Sequence, residues 1–265
     1  MPRRARLDAE LVRRGLARSR DHAIALIADG RVTVRGTGAG KAATAVEADA
    51  PIVVREDTAD ENWASRGAHK LIGALDAFAL PVDGKRCLDA GASTGGFTDV
   101  LLRRGAKHVV AADVGRGLLV WRLQTDDRVT VLDRTNVRSL DPAAVGDPVD
   151  LVVADLSFIS LGLVLPALLA CAGEQADLLP MVKPQFEVGK ERLGSGGVVR
   201  DPDLRAEAVL GVIADAAKLG LRAHGVVASP LPGPSGNVEY FVWLRRGDPV
   251  DASELVAAAV REGPA

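Results

Sequence analysis

The sequence predicts an α/β protein: a seven-stranded, mostly parallel sheet with covering helices, preceded by a small α+β module. Three observations predict it. After residue 81, apolar runs of strand length alternate with helical stretches, the signature of a parallel sheet. The run Arg86–Phe97 (RCLDAGASTGGF) reads as a buried strand ending in an acid, then a Gly-rich turn, then a helix start. Residues 1–36 hold nine arginines, no lysine and four acids, a net +5 in a chain that carries −2 in all. A basic recognition module joined to a Rossmann-like body fits that asymmetry.

In the module, Leu7, Leu11 and Val12 fall at helical spacing, and Gly15 suits the position after that helix. Ser19 is placed as N-cap of a second helix running to Ala28, with Ala23, Leu26 and Ile27 on its apolar face. Gly30 ends it, Val32–Val34 reads as a strand, and further short strands fall around Val46 and over 51–54. The domain therefore spans 1–55, with Arg4, Arg6, Arg18, Arg20 and Lys41 as candidates to meet a phosphate backbone. Residues 56–66 are the linker, acidic over 56–62, and 67–265 the second domain. That domain opens on a helix with Leu71, Leu75 and Phe78 on one face, ending before Pro81.

Strands are predicted at 86–90, 108–113, 129–132, 149–154, 177–182, 222–228 and 238–244. Helices are predicted at 97–104, 115–124, 161–172 and 203–219. Only a Pro/Gly-rich loop (229–236) separates the last two strands, so the closing strand is expected to run antiparallel. Seven strands with such an end are the usual architecture of methyltransferases that use S-adenosylmethionine (SAM).

With 48% hydrophobic and 26% charged residues, the chain has the composition of a soluble globular protein. Cys87 and Cys171 lie far apart without metal-ligand spacing and read as reduced core residues; the start lacks the apolar region of a signal peptide. A cytoplasmic monomer is the expectation. Leu156–Gly173 is 18 residues without a charge, yet it contains Ser157, Ser160, Gly162 and Pro166 and follows Asp155 directly. It parses as loop and buried helix rather than as a membrane span.

The turn pattern is D-x-G-x-x-x-G-G, not the dinucleotide fingerprint G-x-G-x-x-G. Glycines at a strand-to-helix turn let a ligand lie against bare backbone, with free N–H groups of the helix start aimed at it. An acid before the first glycine suits a ligand with a positive end, such as the amino-acid part of SAM. Asp89, Gly91, Ser93, Gly95, Gly96 and Phe97 are thus assigned to the cofactor's methionine side. Asp113, ending the second strand, is placed to accept from a ribose diol, and Asn136, after the third strand, to meet the adenine. Asp155, Lys183 and Glu239 converge on the carboxyl edge of the sheet, where open α/β sheets bind ligands.

Several of these stretches together resemble the TlyA family of ribosomal-RNA 2′-O-methyltransferases, also called haemolysins. Arg6-Leu7-Asp8, Gly15-Leu16-Ala17-Arg18-Ser19-Arg20 and the run Leu26–Val32 resemble its small RNA-binding fold. Ser65-Arg66-Gly67-Ala68-His69-Lys70-Leu71 resembles its junction motif, with Ala68 in place of a frequent glycine. Val182-Lys183-Pro184-Gln185-Phe186-Glu187 and Gly236-Asn237-Val238-Glu239-Tyr240-Phe241 are further matches. In the related FtsJ-like enzymes the catalytic set is Lys-Asp-Lys-Glu; the resemblance places it on Lys70, Asp155, Lys183 and Glu239.

The implied substrate is a cytidine ribose in ribosomal RNA or a ribosomal subunit, with SAM as methyl donor. Lys183 is the candidate base; a free lysine is charged at neutral pH, so burial or neighbouring Lys70 must favour its neutral form against nearby carboxylates. Lys70 alternatively holds the target phosphate or hydroxyl. Arg66 and Arg134 are placed to guide the nucleotide, and Gly189–Gly197, with Lys190 and Arg192, reads as a lid that touches RNA. A non-catalytic RNA-binding or ribosome-assembly factor and a membrane-acting haemolysin are the alternative readings.

Overall fold

The computed structural model describes residues 4–17, 20–28, 30–47, 49–54, 63–233 and 236–263. They fall in two compact units, Met1–Asn62 and Trp63–Ala265. Arg18, the predicted cap Ser19 and the acidic run 56–62 lie outside the described residues.

In the first unit β1 (Arg4–Arg6) leads into α1 (Leu7–Arg13), followed by α2 (Arg20–Ala28), β2 (Val32–Val34), β3 (Thr37–Gly38), β4 (Ala45–Glu47) and β5 (Ile52–Val54). Strand β1 pairs antiparallel with β4, and β3-β2-β5 form a second small sheet. Leu7 and Leu11, four apart on α1, meet Ala23, Leu26 and Ile27 of α2 in a core closed by Val32 and Val46. The same helix buries two acids, Asp8 (0% exposed) and Glu10 (2%). Each is neutralised from within: Asp8 by Arg6 (2.9 Å) and Arg20 (3.0 Å), Glu10 by Arg13 (2.5 Å) and Arg14 (2.7 Å). Hydrogen bonding from Arg13 holds the Glu10 carboxyl at about 2, and Arg6 holds Asp8 well below the usual range. Four of the nine arginines in residues 1–36 are therefore tethered to buried acids, a duty that residue order alone did not reveal.

The second unit contains α3 (Gly67–Ala77), β6 (Arg86–Ala90), α4 (Gly96–Arg103), β7 (His108–Ala112), α5 (Trp121–Gln124) and β8 (Val129–Leu132). After these come α6 (Pro142–Val145), β9 (Val149–Ala154), α7 (Leu165–Cys171), β10 (Ala172–Val182), α8 (Pro184–Glu187), α9 (Pro202–Ala217), β11 (Leu221–Ala228), β12 (Tyr240–Arg246) and α10 (Ser253–Glu262). The sheet order is β11-β12-β10-β9-β6-β7-β8. Strands β8, β7, β6, β9 and β10 are parallel, and β12 runs antiparallel to both neighbours, so the expected fold class holds.

Successive residues of a strand point to opposite faces, and both faces are buried. Leu88, Val110, Val152 and Leu178 pack with α7, α9 and α10 on one side. Cys87, Val109, Leu151 and Leu179 pack with α3 and α4 on the other. The 18-residue uncharged stretch divides into a loop, a 3₁₀ turn (Leu161–Leu163) and the seven-residue α7. No helix among the described residues is long and apolar enough to cross a membrane.

Three boundaries differ from expectation. The helix expected at 115–124 is only α5, because the N–H groups of Gly115 and Gly117 bond the side chains of Asp113 (2.7 Å) and Asp133 (3.0 Å) instead of starting a helix. Strand β10 begins five residues early, with an irregular register between Ala172 and Asp177. Helix α10 was not foreseen; it buries only Val256 and Ala259, too sparse a stripe to show a period in the sequence.

Candidate active site

The Gly-rich turn lies between β6 and α4. Gly91 has φ +88°, and a Cβ there would stand 2.5 Å from the backbone oxygen of Asp155. Gly95 has φ +99°, and a Cβ there would stand 2.4 Å from a methyl of Leu123. Both positions therefore require glycine, and the turn they shape borders a cleft of about 260 Å³. Ser65, Arg66, Gly67, Lys70, Gly91, Ala92, Ser93, Thr94, Gly96, Phe97, Asp155 and Pro232 line it.

Sheet order assembles the ionisable groups. Strands β9 and β10 are parallel neighbours, and Val182 pairs with Tyr240 of β12, so Asp155, Lys183 and Glu239 emerge side by side at one edge. The Lys183 ammonium lies 2.6 Å from Asp155 Oδ1 and donates to Ser157 Oγ at 3.0 Å. Lys70, delivered by the second turn of α3, lies 2.5 Å from Glu239 Oε2. Lys70 and Asp155 line the cleft, while Lys183 and Glu239, with side chains 9% and 1% exposed, reach it through those partners. Glu239 Oε1 is buried without a hydrogen bond among the described residues.

Asp89 sits beneath the turn, fully buried, and takes a 2.6 Å hydrogen bond from Thr98 on Oδ2 while Oδ1 has none among the described residues. Burial pushes its carboxyl up to about 7. Asp113 is a strut as well as a candidate acceptor: its two oxygens take the N–H groups of Ser93 (2.8 Å) and Gly115 (2.7 Å). Asn136 is exposed, caps a 3₁₀ turn by accepting from the N–H of Arg138 at 3.0 Å, and does not line the cleft.

Arg66 lines the cleft; Arg134 is exposed with φ +53° beyond β8. Arg4, on β1, pairs with Glu47 at 3.3 Å, and Lys41 is exposed. Lys190 opens a one-turn 3₁₀ helix whose segment is tied down rather than loose. Arg192 bonds the Val188 carbonyl (2.7 Å) and Glu207 (2.6 Å), and the Asn237 side-chain amide bonds the Gly197 carbonyl (3.0 Å).

Sequence reasoning missed the loop after Asp155. Phe158 is 90% exposed with φ +64°, a conformation uncommon for a bulky residue, and its ring lies 5.1 Å from that of Phe186. Glu187, half-buried, clamps the same loop by accepting from Ser160 Oγ (2.7 Å) and the Leu161 N–H (3.0 Å). The available signal was an isolated aromatic between two serines directly after an edge acid.

A family model described as FtsJ-like methyltransferase matches residues 63–246, the whole of the unit that holds this cleft up to the end of β12. The chain belongs to the FtsJ-like methyltransferases. Within them it falls in the TlyA family: it is 61% identical over 269 residues, covering all of both chains, to the 16S/23S rRNA (cytidine-2′-O)-methyltransferase TlyA of Mycobacterium tuberculosis. It is 34% identical over 237 residues to Hemolysin A of Brachyspira hyodysenteriae, covering 89% of this chain and 98% of the relative. Among solved structures, a hemolysin from Streptococcus thermophilus superposes with a TM-score of 0.77 at 35% identity, covering 99% of this chain and 97% of the other. Methyltransferases of this family use SAM, and the Gly-rich turn, with Asp89 beneath it and Asp113 holding the Ser93 N–H, is the part of this chain that fits such a ligand.

Proposed function

We propose that the protein transfers a methyl group from SAM to the ribose 2′-hydroxyl of a cytidine in ribosomal RNA. One observation carries the reading: two lysine–carboxylate pairs, Lys183–Asp155 and Lys70–Glu239, converge beside a backbone cradle built for a small ligand. The cofactor supplies an electrophilic sulfonium methyl when bound. The chain's own residues then have to align a hydroxyl and remove its proton. The Lys183–Asp155 pair is placed to take that proton, and the bound cofactor would accept the new bond at its methyl and keep the departing electrons on its sulfur. Lys70, held by Glu239, orients the target's phosphate or hydroxyl, and Arg66 holds the nucleotide from the cleft wall.

A 2′-hydroxyl inside folded RNA reaches such a cleft only if its nucleotide leaves the stack. Phe158, exposed next to Ser157 and Asp155, offers a ring for a displaced base. The first unit supplies RNA phosphate contacts through Arg4, Arg6, Arg20 and Lys41, which keep exposed guanidinium or ammonium groups despite their ion pairs. We read the enzyme as a cytoplasmic monomer. Its two thiols are buried, with Cys87 pushed up to about 12 by burial, and suit a reducing compartment.

The test incubates the purified protein with radiolabelled SAM and separated, unmodified ribosomal subunits beside a Lys183→Ala control. Label recovered as 2′-O-methylcytidine with wild-type protein alone is the expected result. SAM binding without label on either subunit or on free rRNA overturns the substrate, and points to the non-catalytic reading.

A further inference from the structure

At the end of the sheet opposite the cleft lies a second groove, of about 390 Å³, whose charged walls are Arg222, Arg245, Arg246, His224 and Glu174. The register of β11 and β12 places Arg222 directly across from Arg245, and Arg246 across from Leu221. Like charges directly opposed on antiparallel strands repel, so the pair needs anions nearby.

The acids at hand do not supply enough. Asp177 already accepts from Lys85 Nζ (2.8 Å) and Trp243 Nε1 (2.9 Å), and Arg245 reaches it only at 3.3 Å. Glu174 is 81% exposed and 3.8 Å from Arg246. Arg222 donates its Nε–H to His224 Nε2 at 3.0 Å, an uncharged acceptor, and no carboxylate among the described residues pairs with its guanidinium. Burial, then Arg222 and Arg245, lowers the His224 imidazole from its ordinary value against Asp177, and its ring lies tilted against Trp243 with centroids 5.1 Å apart. Two opposed guanidinium forks over a fixed imidazole and indole match the oxygens of a phosphodiester.

We propose that this groove binds the phosphodiester backbone of the RNA substrate at a point remote from the methylated nucleotide. The proposal rests on the rRNA reading given above. Six residues of β12 and its approach separate Arg245 from Glu239 at the cleft, which at ~3.3 Å each puts roughly 20 Å between groove and cleft. At no more than the ~3.4 Å per nucleotide step of a DNA duplex, an RNA that touches both must continue at least about six steps from the target. The groove therefore selects for large folded RNA and is blind to short fragments.

The test compares wild-type protein, Arg222→Gln/Arg245→Gln and Arg222→Lys/Arg245→Lys for equilibrium binding across a salt series. The two probes are a domain-length rRNA fragment containing the target and an oligonucleotide of about eight residues around it. For the glutamine variant we expect about tenfold weaker binding of the long RNA, a salt slope shallower by about 1.5–2, and unchanged affinity for the short RNA and for SAM. The lysine variant should keep most of the slope. An unchanged long-RNA slope, equal losses on both RNAs, or a loss seen only with intact subunits would each overturn the proposal; the last points to an acidic ribosomal protein. Methylation of the long RNA by wild-type protein is followed in the same samples. RNA bound but left unmethylated sinks the catalytic reading and leaves the groove's test standing.

Discussion

Lys183 Nζ stands 2.6 Å from Asp155 Oδ1 at the ends of two neighbouring parallel strands, so one strand pairing sets this lysine–carboxylate pair at the cleft. Either partner alone is a buried or half-buried charge without its counter-ion. Lys183→Ala and Asp155→Asn are therefore expected to lower single-turnover methyl transfer by about 10²–10⁴-fold, with SAM affinity within a factor of three or so. Rapid-quench kinetics beside calorimetric SAM titration measures both. A variant that turns over like the wild type removes the pair from the mechanism.

Glu239 has the most buried carboxylate of the set, and its loss leaves Lys70 with a side chain 11% exposed and unpaired. Glu239→Ala is expected to cost about 3–5 kcal/mol of stability. Lys70→Met/Glu239→Met, which removes both charges at similar volume, should recover most of that in urea unfolding while remaining inactive. Equal instability of the single and double variants contradicts the assignment.

Asp89 titrates at about 7 in the folded chain, raised by burial from an ordinary aspartate value. Between about pH 4 and 7 the unfolded chain has released this proton and the folded chain holds it, so the group's contribution makes stability fall as pH rises. Above 7 the penalty is constant, on the order of 4 kcal/mol for a shift of this size. Asp89→Asn is expected to be more stable than wild type at pH 8 and to lose that advantage toward pH 4. Paired urea titrations across that range read the difference directly, because other carboxylates cancel.

Glu187 touches neither strand edge nor cleft wall, yet accepts both hydrogen bonds that hold the far end of the Phe158 loop. Glu187→Ala should lower the methylation rate about 10- to 100-fold, the equivalent of one or two bonds to a charged acceptor at ~1.5–3 kcal/mol. SAM affinity should not move, and Glu187→Gln, which keeps an acceptor, should restore much of the rate. The signature is optical as well: 2-aminopurine placed beside the target cytidine should brighten less on binding to the alanine variant.

Much of this was legible in residue order. Strand and helix periods are local, so the seven strands, the antiparallel closing strand and the Gly-rich turn could be read directly from apolar spacing and turn residues. Three of the candidate tetrad, Asp155, Lys183 and Glu239, were legible from their places at the ends of apolar strand runs, while Lys70, on a helix, came only from the family resemblance. What residue order could not show was any contact whose partners are set by packing. The tethering of Arg6 and Arg20 to Asp8 arises because α1 turns an acid into the core of the first unit. The shortness of α5 comes from the carboxylates of Asp113 and Asp133, just past β7 and β8, capturing the N–H groups of Gly115 and Gly117 ahead of it.

The sequence by itself determined the order of most strands and helices and which side chains are candidates to carry chemistry, because propensity, period and turn chemistry act over a few residues. Only the tertiary structure decided that Lys183 pairs with Asp155 and Lys70 with Glu239, that Glu187 holds the Phe158 loop, and that Arg222 opposes Arg245. Strand order and register make these neighbours of residues far apart in the chain, and electrostatics at a few ångströms depends on that adjacency.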